Sequence, residues 1–366
     1  MKKVIVFSGI NITSGGPLTI LRNVVAFADR RLCNDFEVYV LVKSKDIVGP
    51  DVSRIKVIEF PDAQKTFFHK LYYEYYYFRE LSARLDVFLW MSLNDCTPSV
   101  NAKVRCVYIH NASSVYQFSL LDFRFPSRIL LQKFYYRFFL RANLNKNDVV
   151  VVQQRWLADF VVDSMGYKRK DAVLLHRPEF ALPGAGTEKS EKATKKFFIY
   201  PTKPEVYKNI HTLIDAFNQV QVRSRSEWTL VLTIDGTENR YARYLKRKAD
   251  PNKSIIFAGT LAFDELIQKL SFSQALVFPS KLETWGLPLS EARSLGKFII
   301  ASDMPYARET LAGYADVLYF DPDSAQALAA CMRQVIDGSI TYGTDTFKEE
   351  HEAASDLDAL FQKILN

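Results

Sequence analysis

Two series of short apolar runs, each alternating with longer amphipathic segments, constrain the fold of this chain more than any other feature. Such alternation predicts parallel β-strands joined by crossover helices. The predicted strands are 4–8, 37–42, 57–60, 87–90, 104–110 and 149–153 in the first series and 197–200, 229–234, 255–258, 276–278, 298–301 and 317–320 in the second. Residues 183–196 between the series are polar and charged, which is typical of a linker. We therefore predict an α/β chain with two doubly wound domains, 1–186 and 187–346, a reasonable division of 366 residues.

The net charge of +7 is unevenly distributed along the chain. Residues 1–186 contain 26 lysines and arginines against 17 acidic residues, a net charge of +9, whereas the remainder contains 22 against 24, or −2. This asymmetry predicts an anionic partner for the first half. Because no zinc or RNA-binding signature accompanies it, we expect no nucleic acid and favour a membrane surface or a lipid-diphosphate acceptor.

Apolar run length, the N-terminal sequence and cysteine spacing together predict the cellular compartment of the protein. No apolar run reaches 18 residues, so no transmembrane helix is expected. The start, Met-Lys-Lys-Val-Ile-Val-Phe, has too few apolar residues for a signal peptide. The four cysteines have neither metal-ligand nor disulfide-framework spacing, which fits a reducing cytoplasm.

Residues 278–292, Phe-Pro-Ser-Lys-Leu-Glu-Thr-Trp-Gly-Leu-Pro-Leu-Ser-Glu-Ala, place two carboxylates around a glycine. The pattern predicts a buried strand, a loop with Glu283, and a helix with Pro288 at its first position and Glu291 in its first turn. Gly286 permits close backbone approach, and the free N–H groups of a helix start can receive a phosphate. Both carboxylates would then lie at the carboxyl end of a parallel sheet, where open α/β folds bind ligands. A glutamate near a helix start is also favourable with the helix dipole alone.

The same block resembles the Glu-x7-Glu signature of the retaining family-4 glycosyltransferases, of the bacterial O-antigen and capsule type. The match covers Pro279, Ser280, Glu283, Trp285, Gly286, Leu287, Pro288, Glu291 and Ala292. The resemblance implies the GT-B fold, with two doubly wound Rossmann-like domains facing a central cleft. It also implies that the domain 1–186 binds the acceptor, that the domain 187–346 binds the donor, and that a C-terminal helix over 347–366 crosses back onto the first domain.

Further resemblance supplies candidate phosphate contacts. Related transferases have an Arg and a Lys after the first strand of the donor domain, where this chain has Lys203 and Lys208. Lys203 is a point charge in place of a bidentate guanidinium, so its phosphate contact is less well supported. The pair Gly15-Gly16 after the first strand resembles the glycine loop of these enzymes, although a plain turn would use the same residues. His110, at a strand end, matches a histidine that the family has near the donor sugar, while a lone histidine there is often structural.

The resemblance assigns roles within the block. Glu283 would bond a sugar hydroxyl or support developing positive charge, and Glu291 would bind the ribose hydroxyls. Thr284 and the backbone N–H groups of Trp285, Gly286 and Leu287 complete the predicted donor site. The predicted catalytic residues are Glu283, His110 and Lys208. Asp321 and Asp323 indicate a turn and helix cap. The resemblance to GT-B enzymes, in which lysines and a helix start replace a bound metal, implies neither a metal nor a cofactor.

Two aromatic segments are candidate membrane contacts. Residues 67–78 contain eight aromatic residues among twelve. Residues 123–144 place Lys133, Arg137 and Arg141 on one stripe beside an apolar face. A basic amphipathic helix can lie on an anionic bilayer, although an aromatic core face with a solvated basic edge gives the same pattern.

The resemblance therefore implies a retaining, metal-independent glycosyltransferase of the hexosyltransferase type that acts in surface polysaccharide biosynthesis. The expected partners are a nucleotide-sugar donor and a polyprenyl-diphosphate-linked oligosaccharide acceptor, at the cytoplasmic side of the inner membrane. Two alternatives remain open, a nucleotide-sugar 2-epimerase and a non-catalytic nucleotide-binding subunit of the same fold.

Overall fold

The structure is a computed structural model that describes residues 2–49, 52–177, 196–224, 228–249, 253–340 and 357–366. It divides into two compact units. The first comprises Met1–Val115, Leu131–Glu179 and His351–Asn366, and the second comprises Tyr116–Leu130 and Phe180–Glu350. The predicted boundary at residue 186 lies outside the described residues. Residues 116–130, which we predicted in the first domain, group with the second unit.

The first unit contains a parallel sheet of seven strands. The strands are β1 (Lys3–Ser8), β2 (Phe36–Val42), β3 (Lys56–Glu59), β4 (Val87–Ser92), β5 (Ala102–Ile109), β6 (Val149–Val152) and β7 (Val173–Leu175). Their order across the sheet is β3-β2-β1-β4-β5-β6-β7. The chain therefore reverses its winding direction between β1 and β4. Central strands such as β1 are buried on both faces, which explains their unbroken apolar sequences.

The helices along this part of the chain are α1 (Gly16–Arg30), α2 (Phe67–Tyr72), α3 (Phe78–Leu85), α4 (Leu120–Arg124), α5 (Arg128–Ala142) and α6 (Arg155–Asp159), of which α4 falls in the second unit. A π-helix, Tyr73–Tyr77, connects α2 to α3. The predicted helical segment 123–144 is thus two helices, because Pro126 lies at the break between them.

The second unit contains a parallel sheet of six strands. The strands are β8 (Phe197–Tyr200), β9 (Thr229–Leu232), β10 (Ile255–Phe257), β11 (Ala275–Phe278), β12 (Phe298–Ser302) and β13 (Val317–Phe320), and the helices are α7 (Ile210–Ser224), α8 (Arg240–Ala249), α9 (Phe263–Phe272), α10 (Leu287–Ser294), α11 (Pro305–Thr310) and α12 (Ala325–Asp337). The strand order is β10-β9-β8-β11-β12-β13. Here the winding direction reverses between β8 and β11.

The last helix, α13 (Leu357–Leu365), packs on the core of the first unit. The ring of Phe361 stacks on Phe27 at 5.3 Å and meets Phe7 edge-on at 5.7 Å. Residues 347–356 of the predicted crossing segment lie outside the described residues. In the described part of the chain, no helix combines the length and the apolar character needed to cross a bilayer.

The predicted α/β class with two Rossmann-like domains is confirmed. Each predicted strand is present within two residues of its predicted bounds. Among the strands of the described residues, the one that was not predicted is the short edge strand β7. Its three residues are half-buried, so it lacks the fully apolar run that marked the central strands.

Candidate active site

Two loops of the second unit meet where its sheet reverses direction. One follows β8 and contains Lys208, and the other follows β11 and contains Glu283. The backbone N–H of Lys281 donates to the carbonyl of Tyr207 at 2.8 Å, which holds the loops side by side. In open parallel sheets, such a reversal leaves a crevice at the carboxyl ends of the strands where ligands bind.

Lys208 and Glu283 form an ion pair across these loops. The Nζ of Lys208 donates to Oε1 of Glu283, and the two side chains are only 17% and 16% exposed. The hydroxyl of Tyr200 donates to the carbonyl of Lys208 at 3.0 Å and fixes its backbone. Although 75 residues separate them in sequence, a cation and a carboxylate therefore share one sheltered position.

The turn after Lys208 depends on Asn209. This residue is fully buried and has a left-handed backbone, with φ at 58°. Its Nδ2 donates to the carbonyl of Pro322 at 2.8 Å, and its Oδ1 accepts from the hydroxyl of Thr212 at 2.7 Å. Asparagine tolerates this conformation better than most residues, so it can start α7 directly behind the lysine.

Three buried tyrosines lie near enough to Glu283 for its charge to act on them. Burial, with a smaller contribution from the Glu283 charge, raises the pKa values of Tyr200, Tyr207 and Tyr306 above the ordinary value. All three are therefore neutral phenols at physiological pH. The hydroxyl of Tyr306 donates to the carbonyl of Ser280 at 2.7 Å, so it braces the loop that presents Glu283.

Gly286 forms the bend before α10. Its φ is +79°, in the left-handed region, and it is the N-cap of the helix. A Cβ atom at this position would lie 3.1 Å from Cδ1 of Leu289 and 3.4 Å from Cε1 of Phe278. Both the conformation and the close packing therefore favour glycine. No side chain caps this helix start. Pro288 has no N–H and the N–H of Leu289 donates to the carbonyl of Gly286 at 2.8 Å, so an anion here would be received mainly by the N–H of Leu287.

Neighbouring loop residues are also held in place. The hydroxyl of Thr310 donates to the carbonyl of Trp285 at 2.6 Å, and the indole N–H of Trp285 donates to Oγ of Ser290 at 2.8 Å. Thr284 and Leu287 are half-buried on either side of this bend. The predicted donor-binding stretch is thus a braced turn.

Glu291 lies farther into α10 than the sequence analysis predicted. The helix begins at Leu287, which makes Pro288 the second helical residue and Glu291 the fifth, and the first turn holds no acidic residue. Burial raises the pKa of Glu291 to about 7. Its Oε2 is buried without a hydrogen-bond partner in the structure. An unpartnered buried oxygen is unusual, and a ligand hydroxyl would satisfy it.

The remaining candidate residues of the second unit, Lys203, Asp321 and Asp323, lie outside this sheltered group. The side chain of Lys203 is exposed and takes part in none of the ion pairs found among the described residues. Asp321 forms a turn in which its Oδ1 accepts from the N–H of Asp323 at 2.9 Å, and Ser324 is the N-cap of α12. Within the described ranges, no cluster of metal-ligating side chains occurs.

Gly15, Gly16 and His110 belong to the first unit. Gly15 has φ at +74° and is the N-cap of α1, which begins at Gly16. His110 follows β5 at the carboxyl edge of the sheet, and its ring stacks on Tyr108 at 4.4 Å. Burial lowers its pKa to about 3, against a smaller opposing effect of the Leu93 backbone, and both ring nitrogens are buried. His110 is therefore a neutral imidazole at pH 7.

A buried polar cluster at the same edge escaped the sequence analysis. Glu74, fully buried on the π-helix, accepts hydrogen bonds from Nδ2 of Asn94 at 3.1 Å and Nδ2 of Asn11 at 3.4 Å. Asn94 also donates to Oγ of Ser8 at 3.2 Å. The cluster connects the ends of β1 and β4 to the glycine loop. Its signal in the sequence was the single carboxylate within an aromatic run.

Two sequence comparisons identify relatives of this chain. Residues 187–349 match the family Glycosyl transferases group 1. The chain is 22% identical over 262 residues to the O-antigen chain mannosyltransferase RfbU of Salmonella typhimurium, which covers 67% of this chain and 68% of that protein.

Solved structures extend the likeness to most of the chain. WaaG, a glycosyltransferase involved in lipopolysaccharide biosynthesis, is similar with a TM-score of 0.66 and 14% identity, over 92% of this chain and 91% of that chain. HepE of Anabaena in complex with UDP and glucose is similar with a TM-score of 0.61 and 15% identity, over 92% and 90%. Residues 187–349 therefore match the group 1 glycosyltransferases, and the chain has the two-domain GT-B fold of these solved structures.

Proposed function

We propose that this chain is a retaining, metal-independent hexosyltransferase that uses a nucleotide-sugar donor. The observation that carries the proposal is the meeting of Lys208 and Glu283 where the second sheet reverses direction. The activities for which RfbU and WaaG are named support a role in O-antigen or lipopolysaccharide biosynthesis, and that of RfbU supports mannose as the transferred sugar.

The proposed roles follow from charge and position. The ammonium of Lys208 stabilises the diphosphate that departs, together with the positive end of the α10 dipole and the N–H of Leu287. Glu283 accepts a hydrogen bond from a sugar hydroxyl or stabilises the positive charge that develops at the anomeric carbon. The unpartnered oxygen of Glu291 accepts from a ribose hydroxyl.

The proposed reaction exchanges one bond for another at the anomeric carbon. The bond from this carbon to the donor phosphate oxygen breaks, and a bond to an acceptor hydroxyl oxygen forms on the same face. The hydroxyl proton passes to the departing phosphate oxygen, so neither a base nor an oxidant is required. His110, neutral because of burial, would bond a donor sugar hydroxyl.

The proposal is tested with radiolabelled GDP-mannose, UDP-glucose and UDP-galactose, each with and without polyprenyl-diphosphate oligosaccharides extracted in detergent. We expect one donor to release its nucleoside diphosphate only when acceptor is present. EDTA should leave the rate unchanged, and NMR of the product should show the donor's anomeric configuration. A free epimer formed without acceptor would instead establish the epimerase. No turnover of any donor, with biological activity unaffected by Glu283→Ala, would establish the non-catalytic subunit.

We further propose that the first unit docks on the inner-membrane surface, where a lipid-linked acceptor would be presented from the cytoplasmic side. Phe67, Phe68, Tyr76 and Phe138 are 47%, 77%, 60% and 70% exposed. Contacts of Phe139 with Phe67 at 5.8 Å and with Tyr75 at 6.1 Å join the two aromatic segments. Exposed aromatic side chains of this density favour a membrane interface. Arg137 of the predicted basic stripe lies outside the described side chains.

Flotation with phosphatidylglycerol and phosphatidylcholine vesicles tests this attachment. We expect binding to phosphatidylglycerol and a severalfold loss for Phe68→Ser/Tyr76→Ser. Phe263→Ser, which removes a 49% exposed ring from the second unit, is the matched control and should bind as the wild type. Equal binding by the aromatic variant and the control would contradict membrane docking through this patch.

A further inference from the structure

A basic groove of about 940 Å³ lies at the amino-terminal edge of the first unit's sheet. Its cations are Lys2, Lys3, Arg54, Lys56, Arg84 and Lys103, against the two carboxylates of Glu37 and Asp86. Since the strands are parallel, this edge is opposite the carboxyl edge that holds His110 and the glycine loop. The groove is therefore separate from the candidate active site and accounts for part of the excess positive charge of the first half.

Half of these cations have evident partners in the protein. Lys2 donates to the carbonyl of Cys33 at 3.0 Å, and Arg54 donates to Oδ1 of Asn34 at 2.8 Å. Lys56 pairs with Glu37. These contacts satisfy groups near the end of α1 and at the start of β2, as basic side chains commonly do. The positions of these three cations therefore do not require a ligand.

Lys3, Lys103 and Arg84 are different. None of them takes part in an ion pair among the residues that the structure describes, and all three are exposed. Lys3 opens β1 and Lys103 lies near the start of β5, so they flank β4 on its two sides. Their Nζ atoms lie 4.4 Å and 5.6 Å from the ring centre of Phe88, on β4 between them.

This arrangement gathers positive charge around one ring. The two distances to Phe88 keep the ammonium groups within about 10 Å of each other, and Arg84 lines the same groove from the last turn of α3. The groove's carboxylates are only two, Asp86 and Glu37, of which Glu37 pairs with Lys56, so the positive charges outnumber them. Like charges held this close, and in excess, favour an anion that carries several charges. Lysine and arginine are the usual ligands of phosphate groups in proteins.

We propose that this groove binds a small anion with two or three linked phosphate groups, held between Lys3 and Lys103 with Arg84 at its side. The groove volume is within the range of small-molecule sites. The site belongs to the first unit alone and does not rest on the proposed transferase activity.

Calorimetric titration with inorganic tripolyphosphate at low salt tests the site. The titrations use protein that carries Lys208→Met, so that the proposed donor site of the second unit does not contribute. We expect Lys3→Ala/Lys103→Ala to weaken binding about 10-fold or more, since each lost charge-assisted contact is worth roughly a factor of 10. Lys168→Ala/Lys170→Ala removes two exposed lysines of the same unit outside the groove and should change the Kd less than about twofold.

The outcomes separate the alternatives. Arg84→Ala should weaken binding on its own, and 200 mM salt should weaken it further. Farnesyl diphosphate distinguishes the source of the phosphates, because tighter binding than that of pyrophosphate favours a lipid-linked anion and equal binding favours a free one. The site is refuted if the groove variant and the control variant bind tripolyphosphate equally. Citrate binding as tightly as tripolyphosphate would overturn the phosphate assignment.

Discussion

Replacing Lys208 by Met and Glu283 by Gln, singly and together, measures how much their ion pair stabilises the second unit. Two unit charges about 4 Å apart attract by ~4 kcal/mol at an effective dielectric constant of about 20, and by ~1 kcal/mol in water. Both side chains are about five-sixths covered, so the pair lies between these limits. After the cost of desolvation we expect a coupling free energy of about 2 kcal/mol.

Each single variant should lose more than the coupling alone, about 3 kcal/mol, because it leaves one charge buried without its partner. The double variant should recover part of that loss. Unfolding of a chain with two units need not be two-state, so the free energies are best taken from hydrogen exchange of amides in β8 and β11.

A second cycle in the same unit provides the control. Lys281 and Asp323 also form a close ion pair, but the carboxylate is 77% exposed. Lys281→Met and Asp323→Asn should therefore couple by less than about 1 kcal/mol. A coupling below about 0.5 kcal/mol for Lys208 and Glu283, or one no larger than the control, would refute the sheltered ion pair.

Three further variants test the bend and the buried titratable groups. Gly286→Ala should lower the free energy of unfolding by about 1–3 kcal/mol, because residue 286 has a left-handed φ and a Cβ there would press on Leu289. Urea denaturation that shows no measurable loss of stability would contradict this. The folded pKa of Glu291 is about 7, above its unfolded value. As pH rises from about 4.5 to about 7, the wild type should therefore lose roughly 3 kcal/mol of stability relative to Glu291→Gln. The same variant should bind nucleoside diphosphate about 10-fold more weakly, and unchanged binding would remove Glu291 from the donor site. For His110 the pH dependence of stability has the opposite sign, because its folded pKa of about 3 lies below its unfolded value. As pH falls from 6.5 to 4.5, the wild type should lose about 3 kcal/mol of stability relative to His110→Phe. Curves of stability against pH that run parallel for the two proteins would count against the burial of His110 as a neutral ring.

The sheets were predictable because their central strands are buried on both faces. β11, for example, is four fully buried residues, and an apolar run of this length is typical of a central parallel strand. The polar linker and the second series of strands likewise predicted two domains. The block from Phe278 to Ala292 predicted the loop and helix because glycine and proline carry strong local preferences.

Non-local contacts were beyond such reasoning. That Glu283 contacts Lys208 depends on β8 lying beside β11, which strand sequences alone do not specify. Segment 116–130 groups with the second unit because Phe125 packs on Tyr241 at 5.5 Å and on Tyr244 at 5.1 Å. Periodicity records that Phe125 is apolar and does not record which sheet it covers.

The π-helix was missed for a related reason. An aromatic run predicts a helix, but the extra residue per turn is specified by tertiary contacts that draw Glu74 inward to Asn94 and Asn11. Similarly, the fifth-residue position of Glu291 follows from a helix that begins one residue before Pro288. A shift of one residue in a helix start changes where a side chain such as that of Glu291 points, and so whether its Oε2 finds a hydrogen-bond partner.

The most direct test of the central claim is the rate of acceptor-dependent nucleotide release by wild-type protein and by Glu283→Gln, with the fold of each checked by circular dichroism. We expect the variant to fold and to release nucleotide at least about 100-fold more slowly, in line with the loss of a group that stabilises transition-state charge. A folded variant that transfers sugar at the wild-type rate would contradict the assignment of this site as the catalytic centre.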